Sequence, residues 1–221
     1  MELNDVMRTT FSARDYTGEE LPDEVLYGIL DIARFAPSGG NRQGNRVIVV
    51  RDAETRGKIS KIAEPIAKIY AAQRDAGENP WNSVIPSQVT PQQIEDTPPL
   101  GILVEPYLNA SVVLVFAVDL EVVASMDKEL DRVGVISGAS IYPFVWNVLL
   151  AARQAGYGGT ITTIPVAQES KLKELLNIPE NYAVSALIPL GKPVKQLTKL
   201  RRNSVEQIAT CGTFDGDPFT A

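Results

Sequence analysis

A chain of 221 residues, 44% apolar and 22% charged, is long enough to bury one sizeable core and has the composition of a globular protein. Its 27 acids against 21 bases leave a net charge of −6, which excludes broad nucleic-acid binding while permitting a local basic pocket. With no histidine and one cysteine, Cys211, it has no Ser-His-Asp or Cys-His nucleophilic site, internal disulfide or thiolate zinc cluster, and no metal is expected.

Residues 1–14 read as a short helix ending in a polar turn. Pro22 opens a helix that runs to Ala36, with Asp23 and Glu24 suiting the positive end of its dipole. Val25, Leu26, Ile29, Leu30 and Ala33 form its apolar stripe. Pro37 stops the helix, and Ser38-Gly39-Gly40-Asn41 makes a turn. Arg46–Val50 is β-branched and reads as a strand buried at its end. Residues 53–75 return to helical period, with Ile59, Ile62, Ile66 and Tyr70 on one face.

Gly77, Pro80, Pro86, Pro91, Pro98, Pro99 and Pro106 then crowd residues 77–110. This stretch reads as a long irregular insertion or lid over a pocket, with a plain surface excursion as the other reading. Ser111–Val118 is a continuous apolar run, as expected of a strand covered on both faces. Residues 133–155 read as one helix, apolar nearly all round, buried against a subunit partner and kinked by Pro143. Gly134, Gly138, Ala139 and Ser140 would allow close helix approach. Gly156–Gly159 ends it. A strand is predicted over 160–164, a short helix over 168–176 and a last strand over 183–190. The sum is a single domain, residues 1–221, of the α+β or α/β class with a mixed sheet. Residues 203–221 form a weakly patterned C-terminal tail that could wrap over a partner.

No apolar run reaches the roughly 18 residues of a membrane span. Met1–Asp5 lacks the basic and apolar regions of a signal peptide. A cytoplasmic protein with no membrane contact is therefore expected.

The residues with chemical interest are basic and hydroxylic. A phosphate dianion needs a cationic fork and short donors. Arg8, Thr9, Thr10, Ser12 and Arg14 could supply both from one turn, and Lys199, Arg201 and Arg202 form a second cluster. Solvated charge runs are the other reading of both. No carboxylate pair stands out among the acids, so no catalytic side chain is assigned. The Gly-x-Gly-x-x-Gly dinucleotide fingerprint is absent.

In order and spacing these segments resemble the nitroreductase family. Ser12 and Arg14 match the last two positions of an Arg-x-Ser-x-Arg/Lys turn, with Thr10 standing at the first. Pro37, Ser38, Asn41 and Gln43, with Gly39 between, match a Pro-Ser-x-x-Asn-x-Gln loop. Gly44-Asn45 replaces the Pro-Trp that commonly follows. Asn147–Ala152 and Gly156-Tyr157-Gly158 match a long dimer helix and its exit. Leu175–Tyr182, Leu190–Pro193 and Lys199-x-Arg201, with Arg202 as a close alternative, match the final unit.

The resemblance implies an α/β/α sandwich with a mixed, mainly antiparallel sheet, in an intertwined homodimer. It implies bound FMN, with NADPH or NADH as a transient electron donor. Nitroaromatic or quinone-like molecules would be the small aromatic electron acceptors. It places the Ser12–Arg14 turn and the Lys199–Arg202 run on FMN. The Ser38 loop would come from the second subunit, and Thr162 and Thr163 would lie near flavin N5 and O4. Arg14 would stabilise charge on the reduced ring. Trp81, Tyr107, Tyr142 and Phe144 are candidates to shape substrate access, with ordinary packing as the other reading. A reductive dehalogenase, a flavin-consuming enzyme and a non-catalytic FMN-binding protein are the alternatives.

Overall fold

The computed structural model describes residues 1–221. In chain order the elements are α1 (Leu3–Thr9), α2 (Asp23–Ala33), β1 (Asn45–Val50), α3 (Ala53–Asp75), α4 (Pro91–Asp96), α5 (Gly101–Asn109), β2 (Val112–Asp119), α6 (Tyr142–Gln154), β3 (Gly158–Gly159), α7 (Glu169–Leu176), β4 (Tyr182–Gly191) and α8 (Val205–Ile208). The strands make one sheet in the order β1-β2-β4-β3, antiparallel at every pair. Its one parallel contact is an isolated bridge between Ser12 and Gly159.

The apolar run of β2 explains the layering. It lies between β1 and β4, and its residues alternate between two cores. Val112, Leu114 and Phe116 face α2 and α6, meeting Leu26, Ile29, Val145, Val148 and Leu149. Val113, Val115 and Ala117 face the other way, toward Ile59, Ala63, Tyr107 and Leu172 of α3, α5 and α7. The period-2 alternation of a strand thus gives an α/β/α sandwich, as expected. A bulge at Phe116/Ala117 leaves Ser185 unpaired in register. Its hydroxyl donates to the Phe116 carbonyl at 3.2 Å, and its own carbonyl accepts from the Tyr142 hydroxyl at 3.3 Å.

Several boundaries differ from the sequence expectation. Pro22 caps α2 from outside, and the helix ends at Ala33. The 77–110 stretch is irregular to Thr90 and again over residues 97–100. The Thr90/Gln93 capping box starts α4, and α5 packs on α3 with Tyr107 buried. Proline density there signalled helix starts as well as breaks, since Pro91 stands in the first turn of α4. The long helix predicted over 133–155 is also shorter. Residues 136–140 form a 3₁₀ turn, and Pro143 lies in the first turn of α6, where it opens the helix without kinking it. Nor is the segment enclosed within one chain, because Val133, Val135, Tyr142 and Trp146 are exposed. The strand expected at 160–164 sits two residues earlier as β3, with a lone Thr162–Leu187 bridge beyond it. The tail holds the capped turn α8 and a small hairpin closed between Thr210 and Pro218.

Candidate active site

The two ends of the chain are zipped together beside β3. Ala13 N–H donates to the Gly159 carbonyl at 3.0 Å, Thr17 N–H to Lys192 at 2.9 Å and Val194 N–H to Asp15 at 3.1 Å. Gln196 Nε2 donates to the Thr9 carbonyl at 2.9 Å. The run leading to Lys199, Arg201 and Arg202 therefore starts against the turn that carries Ser12 and Arg14. Buried Tyr16 locks that turn, its hydroxyl lying 2.8 Å from both the Ala13 and Pro189 carbonyl oxygens. Burial pushes its phenol well above the ordinary range, so it stays a neutral hydrogen-bonding group.

Arg14 lines a cleft of about 170 Å³ together with Tyr70, Ile102, Pro106, Tyr107 and the Thr160–Ile164 segment. No acidic residue lines it. Arg14 makes no ion pair, and its one hydrogen bond is a long 3.4 Å contact to the Ser12 carbonyl. Arg8, Lys199, Arg201 and Arg202 also lack acidic partners. Half-buried cations are ordinarily paired, so an acid-free cleft around an unpaired guanidinium suits an anionic guest. At the floor, the Tyr107 hydroxyl lies 3.3 Å from Thr162 Oγ1. Burial raises this phenol too.

Thr163 is exposed beside Thr162 on the rim. Thr10 is turned away: its side chain is buried and its hydroxyl donates to the Val6 carbonyl at 2.7 Å, capping α1. Arg8 and Ser12 are exposed.

The Pro37–Gln43 loop does not line the Arg14 cleft. Ser38 and Gln43 border a separate depression of about 130 Å³ with Arg34, Ala36, Asn45 and Phe144. The loop is conformationally demanding. Gly40, Asn41 and Gln43 have φ of 60°, 53° and 52°, in the left-handed region. Ser38 Oγ accepts from Gln43 N–H at 3.0 Å and closes it. Gly39 and Asn41 form its 3₁₀ turn and are exposed.

The aromatic candidates separate. Tyr107 belongs to the Arg14 cleft, and Phe144 borders the Ser38 loop, edge-on to Phe116 at 5.7 Å. Trp81, with φ of 57°, lines a different cavity of about 370 Å³ with Gln73 and Glu78. Tyr142 is tied to the β4 bulge. Two site-shaping residues escaped the sequence reading. Ser140 falls within the helix expected over 133–155, and Gln196 belongs to no motif. Reading Pro143 as a helix start would have exposed Ser140 as a turn residue.

Neither cleft reaches the roughly 300 Å³ at which small-molecule pockets begin.

The model of the Nitroreductase family matches residues 7–192. The iodotyrosine deiodinase of Nematostella vectensis is 27% identical over 207 residues, covering 91% of this chain and 72% of that protein. Iodotyrosine deiodinase 1 of Homo sapiens is 28% identical over 211 residues, covering 94% and 67%. Among solved structures, oxidized iodotyrosine deiodinase bound to FMN and 3-iodo-L-tyrosine superposes with a TM-score of 0.69 at 22% identity, over 96% of this chain and all of that one. The NADPH:FMN oxidoreductase from Vibrio harveyi complexed with NAD+ gives 0.68 at 19% identity, over 96% and 78%.

Proposed function

This chain belongs to the nitroreductase family, and from that premise we propose that it is an FMN-dependent oxidoreductase working as a homodimer. FMN would lie between the Arg14 cleft of one subunit and the Ser38–Gln43 loop of the other. The observation that carries this reading is the unpaired Arg14 in an acid-free cleft, beside a basic run zipped against the same turn. A phosphate-bearing aromatic anion fits that chemistry. Lys199, Arg201 or Arg202 would hold the phosphate with Ser12 and Arg8. Arg14 would balance negative charge gathering at the pyrimidine edge of the ring.

FMN when bound supplies hydride acceptance at N5 and electron storage. Thr162 and Thr163 would offer donors there, with Tyr107 orienting the Thr162 hydroxyl through its 3.3 Å contact. Exposed Tyr142, Trp146, Val133 and Val135 give α6 and its approach an uncovered apolar face for the second subunit.

NADPH or NADH is the proposed donor, and a nitroaromatic or quinone the proposed acceptor. Reductive dehalogenation of a halogenated aromatic is the second reading. It is favoured by the iodotyrosine deiodinases, which match over nine-tenths of the chain.

Anaerobic spectroscopy tests both. Protein reconstituted with FMN is mixed with NADPH or NADH, then with a nitroaromatic, a quinone or a halotyrosine. Bleaching by a nicotinamide and recovery with nitroaromatic or quinone supports the first reading. Recovery with halotyrosine alone, with halide release, supports the second. A protein that retains no flavin overturns both.

A further inference from the structure

We propose that Ser140 is a positioning residue that sets the Ser38–Gln43 loop for the flavin, a role that rests on the flavin reading above. The loop's own hydrogen bonds are internal, Asn41 N–H to the Ser38 carbonyl at 2.9 Å and Gln43 N–H to Ser38 Oγ at 3.0 Å, and they do not tie it to the rest of the fold. Three of the four residues from Gly40 to Gln43 are left-handed, and two of these, Asn41 and Gln43, carry side chains. Such a backbone persists only where its surroundings over-determine it. Ser140, 101 residues along the chain, supplies two ties at opposite ends. Its hydroxyl accepts the Gly39 N–H at 3.0 Å, and its carbonyl accepts Asn45 Nδ2 at 3.0 Å. A third tie, from Arg42 Nη1 to the Val122 carbonyl at 3.2 Å, comes from the same β2–α6 connection.

The departure at Gly44-Asn45 belongs to this arrangement. A Cβ at residue 44 would lie 2.6 Å from Val122 Cγ2, so glycine is what lets the connection approach. Asn45 then reaches Ser140, and its Oδ1 is left buried and unpartnered. The connection is itself anchored. Buried Asp127 accepts from Val135 N–H at 2.7 Å, Ile136 N–H at 3.3 Å and Arg132 Nη1 at 2.8 Å. This holds the entry to the 3₁₀ turn that ends at Ser140. The hydroxyl matters because Gly39 N–H points at nothing else the loop supplies.

Ser140→Ala, Ser140→Thr and Asn45→Ala test the assignment in the 221-residue chain. Two readouts are used: amide hydrogen exchange of residues 38–43 without flavin, and FMN affinity with the visible circular dichroism of the bound flavin. Ser140→Ala is expected to speed Gly39 exchange and weaken FMN about tenfold, the scale of one hydrogen bond. It should also alter the flavin dichroism. Ser140→Thr, which keeps the hydroxyl, is expected to restore all three. Asn45→Ala reads the loop from its other end should Ser140→Ala not fold. Unchanged exchange and unchanged dichroism in both alanine variants overturn the proposal while leaving the flavin reading intact. Wild-type protein that binds no FMN overturns the flavin reading, and the exchange data then report the loop alone.

Discussion

Gly159→Ala probes the junction on which the Arg14 cleft depends. An added Cβ would lie 2.6 Å from the Pro189 carbonyl oxygen, 2.7 Å from Ile188 Cγ2 and 3.3 Å from Leu149 Cδ2. The first contact is with main chain, which cannot rotate aside. β3 would have to withdraw from β4 by about 0.5 Å, an overpacking strain that typically costs about 1–3 kcal/mol. Gly159 is not in the left-handed region, so alanine also restricts the unfolded chain, a stabilisation of about 0.4–1 kcal/mol. At the middle of both ranges the steric effect wins, about 2 against about 0.7, leaving a net loss of about 1.3 kcal/mol. Its withdrawal also strains the 3.0 Å bond from Ala13 N–H to the Gly159 carbonyl, and with it the turn bearing Ser12 and Arg14. Gly158→Ala is the matched control. Its Cβ would meet Ala13 Cβ at 3.2 Å, which a shift of a few tenths of an ångström relieves, and Pro193 Cγ at 3.5 Å, an ordinary contact. Urea unfolding followed by tryptophan fluorescence measures both. The expected result is a lower midpoint for Gly159→Ala at unchanged slope, with Gly158→Ala near wild type. Equal midpoints for Gly159→Ala and wild type, or equal losses in the two variants, would refute the reasoning.

Three further outcomes are expected. The Val135 N–H, Arg132 and the Ile136 N–H hold the Asp127 carboxyl at about 2, below the ordinary 3.8. Its stabilisation is therefore present above pH 4 and lost as pH falls from about 4 through 2. Thermal midpoints across that window should fall less steeply in Asp127→Asn than in wild type. Burial raises the Tyr107 phenol, so its contribution is complete below pH 10 and lost as pH climbs beyond it. Tyr107→Phe should lose about 1 kcal/mol at neutral pH with the Thr162 contact, and show a shallower alkaline decline in chemical denaturation. The double variant Lys199→Ala/Arg201→Ala should bind FMN at least about tenfold more weakly, with less salt dependence, in fluorescence titrations. Unchanged affinity would move the phosphate site elsewhere.

Much of the fold was legible in local pattern. The apolar run at 111–118 could only be a strand covered twice, and it became the β2 spine of both cores. The stripe from Val25 to Ala33 gave α2, and the absence of histidine with clustered cations pointed to an anion held for someone else's chemistry. These features depend on side-chain period and composition, which a linear chain carries. Boundaries failed where one signal had two meanings. Pro91 and Pro143 read as breaks or kinks, yet each stands in the first turn of a helix, because proline's missing N–H is harmless only there.

What the tertiary structure alone decided is which residues share a site. Arg14 and the approach to Lys199 meet because the two ends zip along β3, and Gln196 finds Thr9 across 187 positions. Thr10, in the same motif as Ser12, is turned inward by the end of α1. Ser140 reaches Gly39 only because the β2–α6 connection folds back over the loop. Hydrogen bonds between distant segments depend on the closing of the intervening chain, and no local propensity encodes where that closure lands.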